Sequence, residues 1–248
     1  MNRIKKLDVF YQERKVGTLA ATKDHRFAFA YDGVWLEEGF PISPISLPLG
    51  KKVFLPKREP FEGLYGVFAD SLPDGWGRLL VDRMLLREHV DPHLVDSLNR
   101  LAIVGASGMG ALTYRPCYEL PMEGQTNDYD RIAEQCKQML LTDEADDLDE
   151  LFKLGGSSGG ASPKILTQVD GEAWIIKFPS SMDKEDIGVQ EYAYAGCAAD
   201  CGIRMSETRL FPSKICGGYF GTKRFDRCRD ADGNEKRVHM LTVSAILE

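Results

Sequence analysis

The chain has 248 residues, 43% hydrophobic and 28% charged, with a formal net charge of −7, which suits one large or two small globular domains. The acidic balance argues against general nucleic-acid binding but leaves room for a local basic patch that holds nucleotide phosphates. No apolar run approaches the roughly 20 residues that cross a bilayer, and the polar start is not a signal peptide, so a soluble, cytoplasmic protein without a membrane partner is expected. The six cysteines include no Cys-x-x-Cys pair and read as reduced thiols, and the four histidines form no ligand cluster, so no metal site is expected on the chain.

In chain order, Leu7, Val9 and Tyr11 alternate with polar neighbours, Glu13-Arg14-Lys15 makes a turn, and Val16 to Leu19 returns, which predicts a hairpin. Phe27, Phe29 and Tyr31 alternate before a turn at Asp32-Gly33, and prolines between Pro41 and Pro60 predict extended loop. Helices are predicted over Phe61–Ser71, Asp74–Glu88 and Leu94–Leu101, followed by a glycine-rich turn, Gly105 to Gly110, that leads into a strand. The plain reading of that turn is a tight connection. Residues 116–126 read as a linker, placing a boundary between domains 1–120 and 121–248. A helix over Asp130–Leu141 and an acidic run, 143–150, read as a solvated helix start, come next.

The most informative stretch is Leu154-Gly-Gly-Ser-Ser-Gly-Gly-Ala-Ser-Pro-Lys164. Such a loop can bend tightly and offer backbone N–H groups to an anion. It lacks the Gly-Lys-[Ser/Thr] ending of a Walker A loop and the spacing of a dinucleotide fingerprint. Protein kinases instead carry a glycine-rich loop between antiparallel strands, a phosphate-binding lysine on the next strand and its glutamate partner on the following helix. Lys177 lies on such a strand, Ala173 to Phe178, where apolar neighbours on both faces demand a counter-charge or a ligand phosphate. The helix Lys184–Cys201 offers Glu191 on a stripe of Ile187, Tyr194, Ala198 and Cys201. Two more strands, Thr208–Pro212 and Tyr219–Phe225, then lead into the position of a kinase hinge, where Phe225 would wall an adenine.

The segments GGSSGGASPKIL, WIIKFP, QEYAYAGCAADCGI and GTKRFDR, with RKVGTLAA, PISLPL, FADSLPDGWGRLLVDRML and LAIVGASGMGALTYRP upstream, resemble the HipA family of bacterial toxin-antitoxin serine/threonine kinases, in the same order and over nearly the whole chain. The resemblance implies an α+β fold: a β-rich N-terminal subdomain with helices, and a kinase-like N-lobe of antiparallel sheet plus helix. It also implies ATP and Mg2+ as cofactors of the intact kinase, with weak or absent binding expected on this chain, phosphorylation of a protein such as an aminoacyl-tRNA synthetase, and a helix-turn-helix antitoxin as partner. Residue by residue, it implies autophosphorylation at Ser157 and ATP binding by Ser158, Gly159, Gly160, Ala161, Lys177, Glu191, Lys223 and Phe225. Lys223 stands where the toxin prototype has an acidic residue beside the adenine.

A kinase further needs a catalytic aspartate and an Asp/Asn set for magnesium, which in this fold follow the hinge. The sequence ends in the apolar run Ala245-Ile246-Leu247-Glu248, which reads as the start of a large-lobe helix. The expectation is therefore the N-terminal portion of such a kinase, with no catalytic residue of its own and inactive alone. The alternative is a non-catalytic module that regulates a separate kinase or antitoxin.

Overall fold

The computed structural model describes residues 3–118, 126–142 and 146–248. In chain order its elements are β1 (Lys6–Tyr11), β2 (Arg14–Ala21), β3 (Phe27–Tyr31), α1 (Gly33–Glu38), β4 (Val53–Phe54), α2 (Gly66–Ala69), α3 (Gly75–Arg87), α4 (Ser97–Val104), β5 (Leu112–Arg115), α5 (Tyr129–Thr142), α6 (Leu148–Gly155), β6 (Lys164–Val169), β7 (Glu172–Lys177), α7 (Ile187–Asp200), β8 (Thr208–Phe211), β9 (Tyr219–Lys223), β10 (Arg227–Arg229), β11 (Glu235–Arg237) and α8 (Val243–Ile246). The fold is α+β with antiparallel sheets. No helix is long and apolar enough to cross a membrane among the described residues.

Two compact units emerge: Met1–Pro73 with Val90–Leu120 and Asp226–Glu248, and Asp74–His89 with Pro121–Phe225. The chain changes unit near residue 120 and also on either side of α3 and after Phe225, so the units are not the two continuous stretches 1–120 and 121–248. Most of the expected linker lies outside the described residues, as do residues 143–145 of the acidic run.

The first unit is built on a five-stranded sheet in the order β4-β3-β2-β1-β5. Period-two alternation puts Leu7, Val9, Leu19, Phe27 and Phe29 on the face that Trp35, Phe68, Leu98 and Leu101 cover, Val16 joins the same core at the register shift opposite Val9 and Phe10, and all of these are buried. The expected turn at Asp32-Gly33 is instead the start of α1. The Asp32 carboxylate accepts from Val34 N–H, so an Asp-Gly pair that suits a hairpin turn serves here as a helix cap. Phe61–Ser71 contributes only the four-residue α2, and α4 begins at Ser97 rather than Leu94, behind the cap of Asp96 on the Asn99 N–H. The closing run forms α8, capped by Thr242 and packed on α2.

The second unit is built on a four-stranded sheet, β6-β7-β9-β8, antiparallel throughout. Trp174, Ile176 and Phe178 point to one face, with Trp174 edge-on to Phe211 and Phe178 edge-on to Tyr219. The other elements are α3, α5, α6 and α7; α3 packs on α6, joined at the surface by the two-pronged Arg87–Asp149 pair. Asp147, from the acidic run, caps α6 through the Glu150 N–H, which is the solvated helix start expected there. At the start of α5, Asp130 accepts from the Ser213 and Tyr219 hydroxyls and from Lys214 N–H, tying that helix to the β8–β9 connection.

Candidate functional site

Lys177, at the end of β7, turns its ammonium to Glu191 on α7, with Nζ to Oε2 at 2.8 Å. The pair is one-third exposed on each side, and the Phe220 ring lies 5.5 Å below the ammonium. The sequence placed this pair by assuming a buried stripe of Ile187, Tyr194, Ala198 and Cys201. That stripe is corrected: Tyr194 and Cys201 are exposed, and α7 buries Gly188 and Ala195 instead. A helix apolar nearly all round has no period that marks its inner face. Small residues set the face here, because a Cβ at Gly188 would collide with the Gly218 carbonyl oxygen, so α7 can lie against β9 only with glycine at that position. Glu191, three residues on, shares that inner face.

The glycine-rich loop joins α6 to β6, so it enters the sheet from a helix and does not lie between two antiparallel strands as the kinase order led one to expect. Its first half is packed rather than open: Ser157 and Ser158 are both buried, and the Ser158 hydroxyl donates to the Gly155 carbonyl at 2.6 Å. Gly159, Gly160 and Ala161 form the exposed tip. The tip is held from two sides. The Lys164 ammonium donates to the carbonyls of Gly159 at 2.7 Å and Gly160 at 2.9 Å. From the start of α3, the Asp74 carboxylate accepts the Gly160 N–H, and the Trp76 N–H donates to the Gly160 carbonyl at 3.0 Å.

Lys164 is therefore a second site lysine, and it faces Lys177 directly across the β6–β7 ladder. Burial first, and then the neighbouring Lys177 charge, push its pKa down from 10.5 to about 8, with Asp74 and Glu191 acting in the opposite sense. Sequence reasoning gave the phosphate role to Lys177 alone, although the same signal, a charge followed by Ile165 and Leu166, marks Lys164. No local signal marks Asp74, whose partner lies 86 residues away.

The remaining expected residues lie apart from this cluster. Lys223 pairs with Glu172 and stands level with Trp174, three residues and roughly 10 Å along the strand from Lys177. Phe225 is 66% exposed, and the backbone beside it is fixed by Arg224 N–H to the Ala173 carbonyl. What the cluster can do chemically is hold an anion: two ammonium groups on adjacent strands beside a glycine tip, with one of them oriented by a carboxylate. Among the described residues no group of three potential ligands could hold a metal ion.

Two family models match the chain: the HipA N-terminal domain over residues 7–115 and the HipA-like C-terminal domain over residues 156–248. The second begins in the glycine-rich loop. Among solved structures, HipA of Shewanella oneidensis MR-1, in complex with HipB and operator DNA, is similar in fold, with a TM-score of 0.59 at 18% identity. The match covers 94% of this chain but 54% of that one, so the chain spans about half the length of its relative. No curated protein sequence matches.

Proposed function

This chain belongs to the HipA family, and from that premise we propose that its second unit is the nucleotide-binding part of a HipA-like serine/threonine protein kinase toxin. The observation that carries the reading is the Lys177–Glu191 pair, 2.8 Å apart, on a sheet whose preceding loop is the glycine-rich segment. In this reading Lys177 and Lys164 receive ATP phosphates, the backbone of residues 158–161 lines them, Glu191 holds Lys177 in place, and Lys223 and Phe225 border the adenine. The donor set suits this ligand, since ammonium groups and backbone N–H groups are what polyphosphates need.

Ser157 is the proposed autophosphorylation site. It is 6% exposed, so modification requires the loop to leave its seat. The phosphorylated substrate, a protein such as an aminoacyl-tRNA synthetase, and a helix-turn-helix antitoxin as partner belong to the same proposal, as does a cytoplasmic location. A HipB partner and operator DNA in the complex of the structural relative support an antitoxin, with DNA contacted through that assembly.

The test is calorimetric titration with Mg-ATP. Weak binding that Lys177→Ala abolishes is expected; binding unchanged by that substitution would remove Lys177 from the site and the reading with it.

A further inference from the structure

Asp74 stands at the N-cap position of α3, where an aspartate ordinarily accepts an N–H of its own helix. Asp32, Asp96 and Asp147 do so at the starts of α1, α4 and α6. Asp74 makes no such bond. Its carboxylate instead accepts the N–H of Gly160, at the tip of the glycine-rich loop. A cap is thus forgone for a contact with the group that, in a phosphate-binding loop, an incoming anion would use.

The contact is built rather than incidental. Trp76, two residues on, is 1% exposed; its indole N–H donates to the Lys164 carbonyl at 3.1 Å, and its backbone N–H donates to the Gly160 carbonyl. Segment 74–76 and Gly160 therefore pair in both directions around a fixed aromatic anchor. A Cβ at Gly75 would come within 2.6 Å of the Gly160 carbonyl oxygen, so the close approach depends on glycine there. Asp74, Gly159 and Gly160 are all exposed, so a dissolved anion can reach them. Asp74 also acts on Lys164, where its charge favours the protonated ammonium. A negative group of the protein thus sits among cations and an amide suited to a negative ligand.

Resting on the nucleotide reading above, we propose that Asp74 is an internal anion that occupies the Gly160 amide in the unliganded chain, and that a polyphosphate binds by displacing it. The displaced carboxylate is then free for the capping role of its position. Asp74 thereby sets the affinity of the loop: the contact keeps the tip folded when empty and opposes every phosphate that enters.

The full chain and its Asp74→Asn and Asp74→Ala variants are titrated calorimetrically with ATP, inorganic triphosphate and adenosine. Asp74→Asn removes the charge and keeps an acceptor, so a folding defect in one variant does not decide the result. Both variants bind ATP and triphosphate tighter, by about tenfold, the scale of one charged hydrogen bond. Adenosine affinity is unchanged. If wild type binds ATP and neither variant binds it more tightly, displacement is overturned while the nucleotide reading stands. If no phosphate compound binds any of the three proteins, the nucleotide reading fails, and the proposal with it.

Discussion

The chain contains two glycine-rich turns that are held by the same device and differ in what surrounds it. At residues 105–110, Asp226 accepts the Gly110 N–H at 2.8 Å, while Arg227 donates to the carbonyls of Gly110 and Gly108 at 3.1 and 3.2 Å. At residues 155–160, Asp74 accepts the Gly160 N–H and Lys164 donates to the carbonyls of Gly159 and Gly160. In the first turn the acid and base are sequence neighbours, paired at 2.6 Å, with the aspartate fully buried. In the second they come from different elements, and the aspartate is exposed. A buried, mutually neutralised clamp locks a turn. An open one, whose anion is reachable from solvent, can exchange that anion for a ligand.

The sharpest way to break this comparison is to remove the acid from each turn. Asp226→Ala removes the 2.6 Å partner of the buried Arg227 guanidinium and the acceptor of the Gly110 N–H, and should cost about 3–5 kcal/mol, lowering Tm by roughly 10 °C. Asp74→Ala removes an exposed acid and should stay within about 1 kcal/mol of wild type by thermal or denaturant melts. Similar losses in both would show that the two clamps are the same kind of object.

A smaller effect comes from the bases. Because the pKa of Lys164 is lowered to about 8, the ammonium is mostly charged at pH 7 and mostly neutral at pH 9. ATP affinity should therefore fall by up to about tenfold across that interval, beyond the change in a Lys164→Arg variant, whose charge persists. The stability effect has the opposite slope. The folded chain binds fewer protons than the unfolded chain between about 8 and 10.5, so this group's contribution rises with pH in that window and is flat below it. A flat affinity profile for wild type would mean that Lys164 takes no part in anion binding.

Smallest is the expected change in stability from Glu191→Gln. The Lys177–Glu191 pair is one-third exposed, so its loss should cost less than about 1 kcal/mol in a denaturant melt, while ATP affinity drops several-fold because Lys177 loses its orientation. A large stability loss with unchanged affinity would make the pair structural.

Much of this was legible in the sequence wherever the signal was local. Alternation in β1 to β3 and β7 marks their faces, and a lysine in an apolar strand followed by a glutamate on an apolar helix marks Lys177 and Glu191 as partners. The inner face of α7 was not legible, since Tyr194 and Gly188 differ in size rather than in polarity and close approach to β9 selects the smaller. The capped start of α1 was hidden because Asp32-Gly33 satisfies a turn and a cap equally well. The Asp74 contact joins residues 86 positions apart through one backbone N–H, a donor that every residue but proline carries.

The most direct measurement is an amide NMR titration of the 15N-labelled chain with ATP, following the glycines of both turns. The account predicts that Gly159 and Gly160 shift progressively and Gly160 most, as its N–H passes from carboxylate to phosphate, while Gly108 and Gly110 stay in place. Shifts at Gly108 and Gly110 with none at Gly160 would contradict it.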